Sequence, residues 1–385
     1  MVIEIDSDEI RSITIDGENV VEVTTDGNKV FPGDYGNGQD GSLNVSSSNV
    51  NINNYTYLDS NVSSGSNELS VNNSSVFDSG EEILIYQVQS SSGDPPAGNY
   101  EIKRISSISS GSILLESGLI NSYTSNDFNN TTSNVTIIVN IPEYTSVNIS
   151  GSVSPDQWNG FTGGVTIFKC NGTTDIDGNI NATGRGFRGG LGETDRFGTG
   201  DQGESYEGIG VESRSANEGG GGGGGDPNDS NTEGGGGGGG YGSSGNDGVI
   251  DNFPGDEGSG GNTYGTSDLS RIHLGSGGGG GSMDDDSDGS GRDRGSNGGN
   301  GGGIVFVISK NITGSGSIIS NGQDGEDVLN DSSEEPGAGG GGSGGSIKIK
   351  TDSMGVLTQV SGGAGGDNPH GELGGDGGSG RTHIM

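Results

Sequence analysis

Branched apolar residues fall in short runs bounded by turn residues, and from residue 160 onward the runs repeat. Gly163-Gly164 leads into Val165-Thr166-Ile167-Phe168, and a short hop later comes Ile176-Asp177-Gly178-Asn179-Ile180. The order recurs as Gly302-Gly303, Ile304-Val305-Phe306-Val307-Ile308 and then Ser317-Ile318-Ile319. A third copy reads Gly344-Gly345, Ser346-Ile347-Lys348-Ile349-Lys350 and then Val356-Leu357-Thr358-Gln359-Val360, and Arg381-Thr382-His383-Ile384 opens a fourth. Strands that align while the glycine-rich loops after them differ in length mark stacked units with one variable face.

Upstream, residues 67–159 carry short β patterns such as Glu82-Ile83-Leu84-Ile85-Tyr86, Tyr100-Glu101-Ile102 and Val135-Thr136-Ile137-Ile138-Val139. Turn residues separate them at the spacing of a small all-β sandwich or barrel. Residues 1–31 hold a duplication: Ile13-Thr14-Ile15-Asp16-Gly17-Glu18-Asn19-Val20 is answered by Val23-Thr24-Thr25-Asp26-Gly27-Asn28-Lys29-Val30. Each half reads as a hairpin closed by Asp-Gly and is too short for a core of its own, so it is expected to dock on something else. Residues 32–66 read as a linker with one strand near Val45 to Leu58. The fold expected is all-β, with docking hairpins, a small sandwich or barrel, and a glycine-rich repeat domain over 160–385.

Seven consecutive glycines occur at 219–225 and again at 234–240. In isolation such runs are flexible linker, because glycine loses most freedom on ordering. Here they alternate with β-branched strands and end directly in them. The expectation is therefore ordered glycine strands in polyproline II geometry, packed backbone to backbone, each run of seven spanning roughly 20 Å.

Composition narrows the function. Hydrophobic residues make up 25% of the chain and 86 of the 385 residues are glycine, so no large side-chain core can form in the second half. Sixteen Lys plus Arg against 53 Asp plus Glu give a net charge of −37, which excludes phosphate recognition and nucleic-acid partners. An acidic, lysine-poor surface is what a protein folded in concentrated salt presents. Cys170, the sole cysteine, cannot form a disulfide within the chain and is read as buried. No stretch is apolar enough for membrane insertion. The first residues lack the cationic and apolar regions of a signal peptide, so synthesis in the cytoplasm is expected.

Three histidines, none beside a nucleophile elbow, argue against a hydrolase, and no catalytic residue is assigned. No Gly-Lys-Ser/Thr follows a glycine run, and no cofactor is expected. Asp284, Asp286 and Asp288 have the alternate-position spacing of a calcium loop, but Gly295 stands where its bidentate Glu would be; a solvated acidic loop is the plainer reading. What remains is recognition. Tyr206, Tyr241, Phe253, Tyr264, Arg271 and His273 stand isolated amid glycine and acid, as do rings displayed for glycan binding or rings packed on a glycine sheet. Tyr241 and Tyr264 lead the candidates for display. Trp158, the one tryptophan, is expected to cover the open end of the stack, with ligand stacking as the alternative.

The run through Asn99-Tyr100-Glu101, Ile141-Pro142-Glu143-Tyr144-Thr145, Trp158-Asn159-Gly160 and Gly184-Arg185-Gly186-Phe187-Arg188-Gly189-Gly190, followed by polyglycine, resembles glycine-rich surface and phage tail proteins of the adhesin type, and the hairpins of residues 1–31 resemble those that open virion proteins of tailed haloarchaeal viruses. The polyglycine part is similar in style to the tip adhesins of T-even-like long tail fibres, in which glycine strands form a sandwich and the loops between them bind receptor. The resemblance implies a virion protein at the tail that joins other virion proteins through its hairpins and binds host glycan or S-layer; a homotrimer follows by analogy with fibres. A capsid fibre, spike or turret, a cell-surface adhesin, and a glycan-active enzyme are the alternatives.

Overall fold

The computed structural model describes residues 35–91, 96–125, 134–194, 198–225, 233–250, 256–283, 294–328, 336–369 and 371–385, together with four two-residue strands nearer the amino terminus. The protein is all-β, and no helix occurs among the described residues. Thr14–Ile15 pairs antiparallel with Glu18–Asn19, and Thr24–Thr25 with Asn28–Lys29, at the spacing of the two hairpins read from the duplication.

Each glycine-rich repeat gives one strand to each of two parallel sheets. In the first, the order is Arg381–Ile384, Ser346–Lys350, Ile304–Thr313, Val165–Ile176, Ser146–Ile149 and Ser42–Val45. The repeats are in register: Val165 lies beside Ile304, Ile304 beside Ser346, and Ser346 beside Arg381. The second sheet stacks Ser152–Val153, Asn179–Asn181, Ser317–Ile319 and Leu357–Gln359. Between the sheets the turns are tied by polar side chains, Asp177 Oδ1 accepting from the Ser315 backbone N–H at 3.1 Å and from its hydroxyl at 3.0 Å.

Two rungs precede the first repeat, and the segment read as a linker supplies one of them. Ser42–Val45 is the outer strand of the first parallel sheet, and Tyr55–Tyr57 pairs antiparallel with Asn134–Ile141. Its polar side chains take the place of apolar contacts. Asn53, buried, donates from Nδ2 to the Asn140 and Ile167 carbonyls and accepts from the Ile167 N–H, stitching two sheets together. Farther back, Glu143 accepts from Arg104 at 2.9 Å and from the Asn37 N–H at 3.0 Å, and Arg104 and Lys169 both pair with Glu82.

A six-stranded antiparallel sheet, built around Glu82–Ser90 and Asn134–Ile141, lies on the first parallel sheet. Leu84, Tyr86, Val88, Ile137 and Val139 face Ile167, Ile304 and Phe306 across the interface. Their sequence neighbours Ile83, Ile85 and Ile138 turn to the opposite face, against Leu58, Leu69 and Ile105. On the far side of the parallel sheet Val305, Val307, Ile347 and Ile349 meet Ile180 and Ile318 of the second sheet. With both faces covered, these strands read as continuous apolar runs. Each such side chain, fully buried, stabilises by roughly 1.5–3 kcal/mol. Cys170 is buried in this last layer as a free thiol.

The glycine runs are ordered, and their hydrogen bonds repeat every three residues. In the run 234–240, Gly235 and Gly238 donate to Val249 and Asn246, Gly236 and Gly239 to Ala338 and Gly341, and Gly237 and Gly240 to Gly222 and Gly219. The run 337–342 behaves alike, with Gly337 and Gly340 bonded to Ser282 and Gly279, and Gly339 and Gly342 to Glu326 and Gln323. A strand that turns to three neighbours in succession has the threefold screw of polyproline II, which no β ladder shows. The backbones sit so close that a β-carbon at Gly236 would overlap the Gly279 carbonyl. The run thus needs glycine for space.

Candidate functional site

Glycine runs rise from the strands and return to them. The described residues flanking six connections meet at the end away from the strands: 193 and 198, 225 and 234, 249 and 256, 282 and 295, 328 and 336, and 367 and 373. Backbone bonds fix their neighbourhood. Gly225 donates to Asp256 at 2.8 Å, Gly234 to Gly225 at 3.2 Å, Ser282 to Gly234 at 3.2 Å, Gly337 to Ser282 at 3.0 Å, Val249 to Leu373 at 2.8 Å and Val328 to Asp367 at 3.0 Å. Arg214 on a neighbouring run is ion-paired to Asp256. Phe253, Asp284, Asp286 and Asp288 lie outside the described residues, so the calcium reading gains no geometry.

The remaining aromatic candidates gather at the opposite end of the lattice, and they are not displayed. Tyr241 is fully buried and Tyr264 and Tyr206 are half-buried. Ring centroids lie 4.7 Å apart for Tyr241 and Tyr264, 4.8 Å for Tyr206 and Tyr264, and 5.1 Å for Tyr264 and His273. Tyr241 Oη and Ser346 Oγ share a hydrogen bond at 2.8 Å, the Tyr264 hydroxyl donates to the Leu274 carbonyl at 2.7 Å, and the Arg381 guanidinium sits over the Tyr241 ring. Burial pushes the Tyr241 hydroxyl up to about 12 and the Tyr264 hydroxyl well above its ordinary value. The cluster plugs the junction where glycine runs meet strands: bare backbone cannot fill a corner, and large rings can. Arg271, next to it, is exposed.

Among the described residues His273 has no hydrogen-bond partner on either ring nitrogen, and it is buried. Burial, then the positive charges of Arg271 and Arg381, lower its pKa to about 3, so it is neutral and acts as an aromatic filler. Gly98 and Gly265, both at positive φ, pack against its ring.

Trp158 likewise lies inside the protein, edge-on to Phe187 at 6.1 Å. It covers no open end, because the rungs formed by Ser42–Val45 and Ser146–Ile149 already cover the first repeat. Its indole N–H donates to Glu204 Oε1 at 3.0 Å, which also accepts from Gln89 Nε2 at 3.0 Å, while Oε2 accepts from Arg188 Nε at 2.8 Å. Glu204, buried at 2% exposure, carries no sequence signal among so many acids, yet it ties the antiparallel sheet to the glycine lattice.

No family model and no curated protein matches the chain. Among solved structures the chain is similar to the Gp54 tailspike of Acinetobacter baumannii bacteriophage AP22, solved in complex with A. baumannii capsular saccharide, at 15% identity and a TM-score of 0.21. The match covers 35% of this chain and 26% of that one, and a likeness of this degree supports no conclusion on fold or activity.

Proposed function

We propose that the chain is a receptor-binding protein of a virus particle, set at a tail fibre or tail tip, presenting the far end of its glycine lattice to host surface glycan or S-layer. One observation carries this reading: six connections of unequal length and unlike composition are flanked by residues that meet at one end of a lattice too tight for side chains. Variation at that end leaves the packing untouched, which is the arrangement a recognition surface on a rigid scaffold needs. In this reading the amino-terminal hairpins join the chain to other virion proteins, and the chain binds its receptor without cleaving it. A capsid fibre, spike or turret would use the same end, and antibody to residues 160–385 imaged on virions separates head from tail.

The test is competition. Purified full-length chain added before virus lowers adsorption to host cells. Replacing 226–232 and 284–293 by Gly-Ser segments of equal length abolishes that competition while leaving the melting temperature unchanged. Intact chain that does not compete overturns the reading, and shortened envelope glycans after incubation would make the chain a hydrolase instead.

A further inference from the structure

On the flank of the lattice the antiparallel runs around 188–191 and 201–204, with the segment 209–212 beside them, enclose a cleft of about 210 Å³. Its floor is the backbone of Gly189, Gly190 and Gly210, and Leu191 and Ile209 form apolar walls. Leu191 is 64% exposed and the neighbouring Val211 43%, so an apolar rim faces water in a chain poor in such side chains. Asp201 lines the cleft, half-buried, and its carboxylate accepts no hydrogen bond from the described residues. Burial, then the charges of Glu212 and Glu193, raise its pKa above the ordinary carboxylate value, so a hydrogen-bond donor brought there is favoured. Arg188 closes one side with a partly exposed guanidinium whose charge is matched by Glu204.

We infer that this cleft is a binding subsite for a neutral sugar ring, one that rests on the glycan-attachment reading and gives it a specific address. A pyranose offers an apolar C–H face for Leu191 and Ile209 and hydroxyl donors for Asp201 at its edge. Glycine backbone beneath leaves room for the ring to lie flat. The surrounding acids, Asp201, Glu193, Glu204 and Glu212, with Arg188 already matched, disfavour uronic or sulfated sugars through like-charge repulsion.

Saturation-transfer NMR on the full-length chain, with neutral hexose oligosaccharides and matched uronate-bearing ones, tests this. The expected result is transfer to the neutral series, with a Kd on the order of 1 mM for a single-ring subsite, and none to the acidic series. Asp201→Ala and Leu191→Asp each weaken binding at least about tenfold, the change that ~1.4 kcal/mol produces, with the melting temperature held. No transfer from neutral sugars, equal transfer from both series, or undiminished binding by the two variants overturns the subsite. Adsorption competition separates the two readings: if Asp201→Ala and Leu191→Asp compete as the parent does, attachment stands and the cleft falls; if the parent itself does not compete, attachment falls.

Discussion

The backbone of Gly279 runs against that of Gly222 so closely that a β-carbon on the former would overlap the carbonyl oxygen of the latter. In a side-chain core an extra methyl group displaces other side chains at about 1–3 kcal/mol. Here it would push apart two hydrogen-bonded backbones, with Gly279 donating to Gly237 on one side and Gly340 donating to Gly279 on another. Gly279→Ala is expected to cost more than ~3 kcal/mol or to prevent folding. Gly355→Ala, where the nearest atom to the new carbon is at 3.4 Å, is expected to change stability by less than about 0.5 kcal/mol. Thermal melts of the two variants measure the contrast.

His273 gives stability a pH dependence of known sign. The folded pKa of about 3 lies below the ordinary 6.5, so the unfolded chain binds a proton that the folded chain refuses as pH falls from 6.5 toward 3. Stability therefore drops through that window by about 1.4 kcal/mol per pH unit from this group alone. Neutralising carboxylates relieves the −37 net charge over part of the same range and works the other way. The difference between parent and His273→Phe isolates the histidine: the variant, still an aromatic filler, is expected to lose less stability on acidification.

Glu204→Ala removes the acceptor shared by Trp158 and Gln89. The buried Trp158 N–H left without its acceptor costs about 1–3 kcal/mol, while Gln89 Nε2 keeps the Ser205 carbonyl; the Arg188 backbone N–H also loses Glu204, whereas its guanidinium, 40% exposed along the side chain, can turn to water. As Trp158 is the only tryptophan, its emission reports the site directly. The expected outcome is a lower melting temperature with emission shifted to the red, and recovery of most of the loss in Glu204→Gln, which keeps a carbonyl acceptor.

Salt should matter throughout. With 53 acidic side chains and few cations, repulsion is screened over about 3 Å at 1 M salt. The melting temperature is expected to rise between 0.1 and 3 M KCl, taken as about the dilute and near-saturated limits of screening. An unchanged value would contradict adaptation to concentrated salt.

The repeat was legible because its signal is local. Gly303 then Ile304, and Gly345 then Ser346, mark each strand start, and those starts pair in register. Asn179, Ser317 and Leu357 follow at the second sheet in the same way. The early rungs were hidden for the opposite reason: Ser42–Val45 has no Gly-Gly before it, and the residues after it act through Asn and Ser hydrogen bonds that leave no hydrophobic period. Tyr241 and Tyr264 stand alone in sequence, so display and burial look alike there. Their apolar partners, Leu269, Ile272 and Leu274, come together with them only in the fold.

A recognition surface at the far end requires that glycine backbone form a definite lattice. Amide hydrogen exchange of the intact chain, followed by mass spectrometry over 234–240, 277–281 and 337–342, tests it most directly. Every amide in these runs donates to another backbone, so exchange is expected to be slow and to track global unfolding, as in core strands. Exchange at the rate of an unstructured peptide would contradict the lattice, and the proposed recognition surface would lose its support.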